Sequence, residues 1–218
     1  MGPNGARGRG DPAAAGGSGV TIRTGGGADA GDAARLHAGR ITQGFLSFLG
    51  PGFLTHLYRR ITRTPGSFLL VADDGGTVVG FIAGSADVGA LYRTFLLHDG
   101  LAAGLSAAPR LLRSWRQVAE TLRHGTSAGD GTGRGTELLA VAVDPSRAGR
   151  GVGTDLVAAF LDQVAANGAG ADEAYVVVGA DNDGAIRLYA GAGFVAEEEF
   201  ELHVGTRSLV MQWAPSVR

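Results

Sequence analysis

The sequence predicts an α/β fold in which a mixed, mainly antiparallel sheet is flanked by helices. Short apolar segments with strand character alternate along the chain with amphipathic segments at helical spacing. The turn Asp73–Gly76 joins two apolar segments, which is typical of a β-hairpin. Two later apolar segments, 137–143 and 174–178, lack full alternation and are each followed by a helical pattern. Such strands are commonly covered on both faces.

Composition limits the possible classes of function. The chain has 218 residues, 44% of them hydrophobic, which suits a single domain with a sizeable core. A net charge of −2 gives no overall attraction to nucleic acid or to an anionic membrane, so we expect neither partner. The absence of cysteine excludes disulfides, thiolate catalysis and cysteine metal sites, and we expect no metal. We find no signal pattern or spanning segment and expect a cytoplasmic protein.

The first half of the chain contains a tail and the elements up to the hairpin. Residues 1–19 are rich in Gly, Ala, Pro and Arg and bury little, so they are predicted to be disordered. The domain is predicted to span 20–218. Its first elements are a strand Val20–Thr24, helices Asp29–Ile41 and Pro51–Thr64, and strands Ser67–Ala72 and Val78–Gly84.

Residues 91–135 break the strand rhythm and are predicted to be a helical insertion with a flexible, glycine-rich end. Leu111, Trp115, Val118 and Leu122 form one apolar helical stripe that needs a surface to pack on. The segment could cover an acceptor site. It could instead pack on the parent domain or on a second subunit, which would give a homodimer.

The remaining predicted elements carry the chemistry. They are a strand Glu137–Val143, a helix Asp155–Asn167, a strand Ala174–Val178, a helix Asn182–Ala190, and closing strands Phe194–Val204 and Arg207–Trp213.

A glycine-rich turn joins the first of these strands to its helix. Gly149, Gly151 and Gly153 let the backbone turn tightly and approach a ligand without a Cβ in the way. The first amides of the helix lack intrahelical partners and, with the helix dipole, form an anion cradle. Arg147 and Arg150 add positive charge beside it. Phosphate or pyrophosphate is the natural ligand for such a turn.

Other interpretations of this turn remain open from the residues alone. It could be a tight strand-to-helix connection without a ligand. It is not a Walker loop, which requires a Lys-Ser/Thr pair. The dinucleotide fingerprint fits poorly, because Thr154 stands where its third glycine belongs.

A second motif, Asn182-x-x-Ala185-x-x-Leu188-Tyr189-x-x-x-Gly193-Phe194, follows the next buried strand. With the glycine turn before it, this pattern resembles the GNAT superfamily of N-acetyltransferases over residues 137–194. That family has a strand, an Arg/Gln-x-x-Gly-x-Gly/Ala turn, a helix, a strand and then this Asn-to-Phe pattern. Gly151 and Gly153 match the turn, whereas Ala148 replaces the family's Arg or Gln and Arg147 is displaced by one.

The resemblance implies an acetyl-CoA-dependent enzyme in which the two parallel strands splay apart around the cofactor. The residues implied to bind acetyl-CoA are Val141, Ala142, Val143, Arg147, Ala148, Gly149, Arg150, Gly151, Val152, Gly153, Thr154, Asn182, Ala185, Leu188 and Tyr189. A backbone amide at or near Val143 is implied as the oxyanion donor.

Two side chains are candidates for the proton transfers. The resemblance implies that the Tyr189 hydroxyl faces the CoA sulfur, where a phenol can protonate the leaving thiolate; without the motif, Tyr189 would be a packing residue. Glu137 begins a buried strand, so its pKa should be raised and suit a base, although it could equally be an exposed, solvated carboxylate. His203 is a rival base, and Asp87, Tyr92 and His98 border the insertion without a ranking.

The predicted function is therefore acetyl transfer from acetyl-CoA to a primary amine, most simply that of a small molecule. A non-catalytic acyl-CoA sensor of the same fold is the alternative, which the presence of Tyr189 disfavours.

Overall fold

The structure, a computed structural model, describes residues 19–41, 45–113, 135–167, 173–203 and 206–215. The strands within these ranges are β1 (Val20–Thr24), β2 (Ser67–Asp74), β3 (Thr77–Ser85), β4 (Thr136–Val143), β5 (Ala174–Gly179), β6 (Val195–His203) and β7 (Thr206–Trp213). The helices are α1 (Ala30–Arg40), α2 (Phe45–Ile61), α3 (Val88–His98), α4 (Gly100–Arg113), α5 (Val152–Ala166) and α6 (Asp183–Gly191).

The strands form one seven-stranded sheet in the order β1-β2-β3-β4-β5-β7-β6. Only β4 and β5 run parallel, and every other neighbouring pair is antiparallel. The predicted mixed, mainly antiparallel sheet is thus confirmed. The connection between β4 and β5 contains α5, because two parallel strands must be joined by a crossover segment.

Two apolar clusters, one on each face of the sheet, hold the helices in place. The first, which we call the α2-side cluster, joins Leu54, Tyr58 and Ile61 of α2 to strand residues such as Phe81. The second, the α5-side cluster, joins the buried side of α5, including Phe160, to β2–β5 and α6. Strand β4 contributes to both clusters, so the prediction that it is covered on both faces is confirmed.

The hairpin between β2 and β3 turns at Gly75 and Gly76, whose φ angles are +60° and +93°. The predicted helix from Pro51 begins earlier, at Phe45, because a short helical segment precedes it. Gly50 separates the two with a φ of 85° and a ψ of 173°, so Pro51 still opens the longer part.

The segment predicted to be a helical insertion is helical in its described part. Helices α3 and α4 occupy residues 88–113 and pack against α2. Residues 114–134, and with them Trp115, Val118 and Leu122, lie outside the described residues, as do residues 1–18 of the predicted tail.

Helices α3 and α4 also carry exposed apolar side chains. Leu96, Leu97, Leu101 and Leu105 are between 67% and 82% exposed. No helix among the described residues has the length and apolar character to cross a bilayer.

Candidate active site

The parallel strands β4 and β5 separate soon after they begin. They pair only at Thr136 with Ala174 and at Glu137 with Tyr175. A register shift between β3 and β4 leaves Leu139 as an extra residue on β4, because Ala83 pairs with Ala140 and Gly84 with Leu138. Such a bulge bends its strand and increases the local twist, which turns β4 away from β5. The result is a gap beyond Glu137 and Tyr175, across which the described residues of β4 and β5 form no strand pairs with each other.

The glycine turn lies at the far end of this gap. Asp144 accepts hydrogen bonds from the backbone N–H and the hydroxyl of Ser146 at 3.0 and 2.7 Å, which closes a turn of 3₁₀-helix after β4. Those bonds hold the pKa of the Asp144 carboxyl below its usual range. Gly149 and Gly151 then adopt φ angles of +72° and +85°, and nothing lies within 4 Å of where their Cβ atoms would be.

Gly151 is the N-cap of α5, and the first bond within the helix runs from Asp155 N–H to its carbonyl. The amides of Val152, Gly153 and Thr154 therefore have no partner inside the helix. Open space above two left-handed glycines and three outward amides is the arrangement expected for binding a phosphate. The Val152 side chain is buried, whereas Thr154 is exposed.

The two predicted arginines play different parts. The guanidinium of Arg147 pairs with the carboxylate of Asp74 at the end of β2, so it ties the turn to the β2–β3 hairpin. Arg150 and Ala148 are exposed. Arg150 is thus the cation of the pair that remains open to an anionic ligand at the turn.

The second motif lies on α6. Asn182 is the N-cap, and its Oδ1 accepts a hydrogen bond from the Ala185 backbone N–H at 3.1 Å. A Cβ added to Gly153 would lie 3.7 Å from Leu188 Cδ2 and 3.9 Å from Val143 Cγ2. The end of β4, the start of α5 and the middle of α6 therefore meet at one place.

Of two further predicted cofactor residues, one lies at this junction and the other does not. Val141 packs with Val143 against the α5-side cluster, together with Ala185 and Leu188 of α6. Ala142 points to the opposite face and belongs to the α2-side cluster. The structure thus brings the two sequence motifs together at the separating ends of β4 and β5.

Tyr189 is a buried tyrosine with 5% of its surface exposed. Its ring centroid lies 5.7 Å from that of Phe194, at a tilted angle, and it packs with Val176 and Val178 of β5. Burial raises the pKa of the Tyr189 phenol far above its usual value, because the phenolate would lose its hydration. The phenol is therefore fully protonated at neutral pH and can act as a proton donor.

Glu137 is partly buried at the position where β4 and β5 part. Its Oε2 accepts a hydrogen bond of 2.7 Å from the Tyr175 hydroxyl. Burial raises the pKa of the Glu137 carboxyl, and the bond from Tyr175 opposes that rise. Tyr92 of α3 lies near enough that burial and the Glu137 charge together raise its pKa to about 12. The carboxylate is thus not fully solvated, and no arginine among the described residues pairs with it.

The other titratable candidates are less well placed. Asp87 caps α3 by accepting a bond from Ala90 N–H at 2.7 Å, and the exposed His98 ring bonds the Thr94 carbonyl at 2.9 Å. The side chain of His203 lies outside the described residues. A shallow, open depression between β1 and α5 is lined by residues such as Ile22 and Gln163, and contains none of the predicted site residues.

Sequence reasoning missed two residues of this site. Tyr175 was treated only as part of an apolar strand, although a tyrosine among valines was a visible signal. Gly135 was assigned to a flexible link, but its φ is +86° and a Cβ there would lie 2.1 Å from the Glu173 carbonyl oxygen. This close approach sets the start of the β4–β5 pairing, where Thr136 N–H bonds the same carbonyl at 2.8 Å.

Comparison with known sequences identifies related proteins. A model of the Acetyltransferase (GNAT) family matches residues 40–194. A mycothiol acetyltransferase of a Nocardioides species is 37% identical over 117 residues, which are 50% of this chain and 37% of that protein. A mycothiol acetyltransferase of Clavibacter michiganensis is 48% identical over 58 residues, 27% of this chain and 18% of that protein. The chain thus spans well under half the length of these relatives.

Solved structures share the fold. YncA of Salmonella typhimurium, solved with its cofactor acetyl-CoA, has a TM-score of 0.59 at 16% identity, over 90% of this chain and 94% of that one. Ard1 of Thermoplasma volcanium has a TM-score of 0.57 at 21% identity, over 89% and 97% of the two chains. A ribosomal-protein-alanine N-acetyltransferase of Brucella melitensis has a TM-score of 0.59 at 16% identity, over 89% and 99%.

Proposed function

Because the chain belongs to the GNAT family of acyl-CoA-dependent acetyltransferases, we propose that it transfers an acetyl group from acetyl-CoA directly to a primary amine. Glu137 is the general base and Tyr189 the general acid. The observation that carries this proposal is the Glu137 carboxyl, held with a raised pKa where β4 and β5 part. Glu137 lies at one end of the gap, and the glycine turn lies at the other end. A base at this position is suited to removing a proton from an ammonium group that enters away from the phosphates.

The cofactor is held mainly by backbone. The amides of Val152, Gly153 and Thr154 and the exposed Arg150 bind the pyrophosphate. The unpaired edges of β4 and β5 bind the amides of the pantetheine arm, as a peptide strand would be bound in a sheet. Asn182 caps the N-terminus of α6 and so stabilises the segment that follows β5 at this gap.

The reaction moves three protons, two from the acceptor nitrogen and one to the leaving sulfur. Glu137 takes the first proton from the acceptor ammonium, and the free amine attacks the thioester carbonyl to form the C–N bond. A backbone amide near Val143 stabilises the oxyanion. The nitrogen of this intermediate carries one proton more than the amide product and releases it to water. The C–S bond then breaks, and the departing thiolate takes the proton of the Tyr189 phenol. Exchange with solvent returns both side chains to their starting states.

The acceptor is proposed to be a small amine that enters beside α3. The electrostatic contact between Tyr92 and Glu137 supports this, because it brings α3 to the base. Two relatives are named as mycothiol acetyltransferases, so acceptors of that class belong with small amines, aminosugars and peptide N-termini in a test panel.

The test is the pH dependence of thiol release with acetyl-CoA and the best amine of the panel. A base with a raised pKa should give a low-pH limb in kcat/KM above the range of an ordinary carboxyl. In Glu137→Gln, kcat/KM should fall most near neutral pH and least at high pH, where the amine is already free. An unchanged pH profile in Glu137→Gln would exclude Glu137 as the base.

A further inference from the structure

Tyr175 and Glu137 are 38 residues apart in sequence, but they are paired directly with each other on the neighbouring strands β5 and β4. Their side chains meet across this pair. The hydroxyl of Tyr175 donates to Glu137 Oε2 at 2.7 Å, and only 6% of the tyrosine surface is exposed. A phenol on a buried ring has two torsions and little freedom, so it presents its proton at a fixed point.

The bond lies at the last paired position before the strands part. Beyond this position, the described residues of β4 and β5 form no strand pairs with each other. The hydrogen bond between Tyr175 and Glu137 therefore lies at the edge of the gap. In the part of the chain that the structure describes, Glu137 Oε1 makes no hydrogen bond. One carboxylate oxygen is thus held while the other can meet a ligand.

We propose that Tyr175 is a positioning residue that fixes one oxygen of Glu137 and so aims the other at the acceptor ammonium. This inference rests on the proposed function of Glu137 as the base. A carboxylate that must work as a base at neutral pH has to stay ionised although it is partly buried. A hydrogen bond to its charged form provides that stabilisation.

Three described residues face or pair with Glu137. Tyr175 reaches it from β5, Tyr92 interacts with it from α3, and its partner on β3 is Ser85, whose hydroxyl bonds Ser67 at 2.9 Å. Of these, Tyr175 is the group that hydrogen-bonds the carboxylate. Its removal should therefore act on Glu137 itself.

The experiment uses Tyr175→Phe, which keeps the ring and loses the hydroxyl. The carboxyl pKa of Glu137 is measured in the free protein by ¹³C NMR titration of labelled glutamate, with Glu137→Gln to assign the signal. We expect the pKa to rise by about one unit, as for loss of one charge-assisted hydrogen bond. In turnover, the low-pH limb of kcat should move upward by the same amount, so that kcat falls up to about tenfold on that limb and recovers at high pH, with acetyl-CoA affinity unchanged.

Tyr58→Phe is the matched control. Tyr58 is also a buried phenol bonded to a titratable side chain, at 2.6 Å from His37 Nδ1, but it lies in the α2-side cluster. It should lower the melting temperature without moving the Glu137 titration. If Tyr175→Phe does not fold, 3,5-difluorotyrosine at position 175 makes the opposite change, since a more acidic phenol should lower the Glu137 pKa.

The NMR titration separates this inference from the proposed function. If the wild type acetylates no amine but Tyr175→Phe still raises the Glu137 pKa, the function fails and the hydrogen bond stands. If the wild type is active and the Glu137 titration is identical in both proteins, Tyr175 is a packing residue and the inference is wrong.

Discussion

At the scale of single residues, burial acts in the same direction on both side chains that are proposed to move protons. It raises the pKa values of Glu137 and Tyr189, because each charged form would lose water. The phenol, whose ordinary pKa is about 10, is protonated at neutral pH with or without this shift. For the glutamate, the shift brings the carboxyl closer to neutral pH, where the proposed base would accept a proton most usefully.

The role of Tyr189 is tested by Tyr189→Phe. The phenylalanine keeps the ring contact with Phe194 and loses only the ionisable proton. We expect kcat to fall by roughly 10²–10⁴-fold, while the rise in melting temperature caused by acetyl-CoA is retained. Full activity in this variant would show that Tyr189 only packs in the α5-side cluster.

The limits of sequence reasoning are also clear at this scale. The resemblance at a local motif placed Tyr189 in the candidate site, and a strand start placed Glu137 there, because both are local features. The bond between Arg147 and Asp74 and the bond between Tyr175 and Glu137 join residues 73 and 38 positions apart. Such contacts depend on strand pairing, which no local pattern records, so both were missed.

At the scale of elements, most helices and strands could be predicted to within a few residues. The first strand, the hairpin and the two parallel strands follow from periodicity and from turn residues. The bulge at Leu139 and the early start of α2 at Phe45 were not predicted. A bulge depends on the register of a strand with its neighbour, which the local sequence does not contain. The apolar residues before Gly50 and Pro51 do not distinguish a helix from a loop.

The glycine turn as an element is tested by Gly151→Val. The substitution strains a φ of +85° and places side-chain atoms in the open space above the turn. Acetyl-CoA should raise the melting temperature of the wild type by mass action and should no longer do so in the variant.

The control for that strain is Gly75→Val in the hairpin, which also has a positive φ and open surroundings. It should lose stability by a similar amount, about 1–2 kcal/mol, and keep its response to acetyl-CoA. An unchanged acetyl-CoA shift in Gly151→Val would remove this turn from the site.

The start of the β4–β5 pairing is tested by Gly135→Ala. A methyl group there meets the Glu173 carbonyl at 2.1 Å, so the backbone must move, which adds to the cost of a positive φ. We expect the free energy of unfolding, measured with urea, to fall by about 2–4 kcal/mol. Gly75→Ala, with strain but no clash, should cost less. Equal losses in the two variants would mean that the close approach has no energetic consequence.

At the scale of the whole molecule, the sheet consists of two antiparallel parts joined by one short parallel contact. Strands β1 to β4 form one part, and β5, β7 and β6 form the other. Tyr189 packs in the α5-side cluster, while Glu137 interacts with Tyr92, which packs against the α2-side cluster. The gap between the two parts therefore connects the two faces of the sheet, with the proposed acid and the proposed base associated with different faces.

Direct transfer of the acetyl group to an amine is tested by product analysis with ¹³C-labelled acetyl-CoA. The protein is incubated with labelled acetyl-CoA and the amine panel, and released thiol, acetylated amine and the mass of the protein are measured together. We predict one labelled acetylamide for each thiol released and an unchanged protein mass throughout turnover. Thiol release without an acetylated amine, or a labelled acetyl group on the protein during turnover, would contradict direct transfer to an amine.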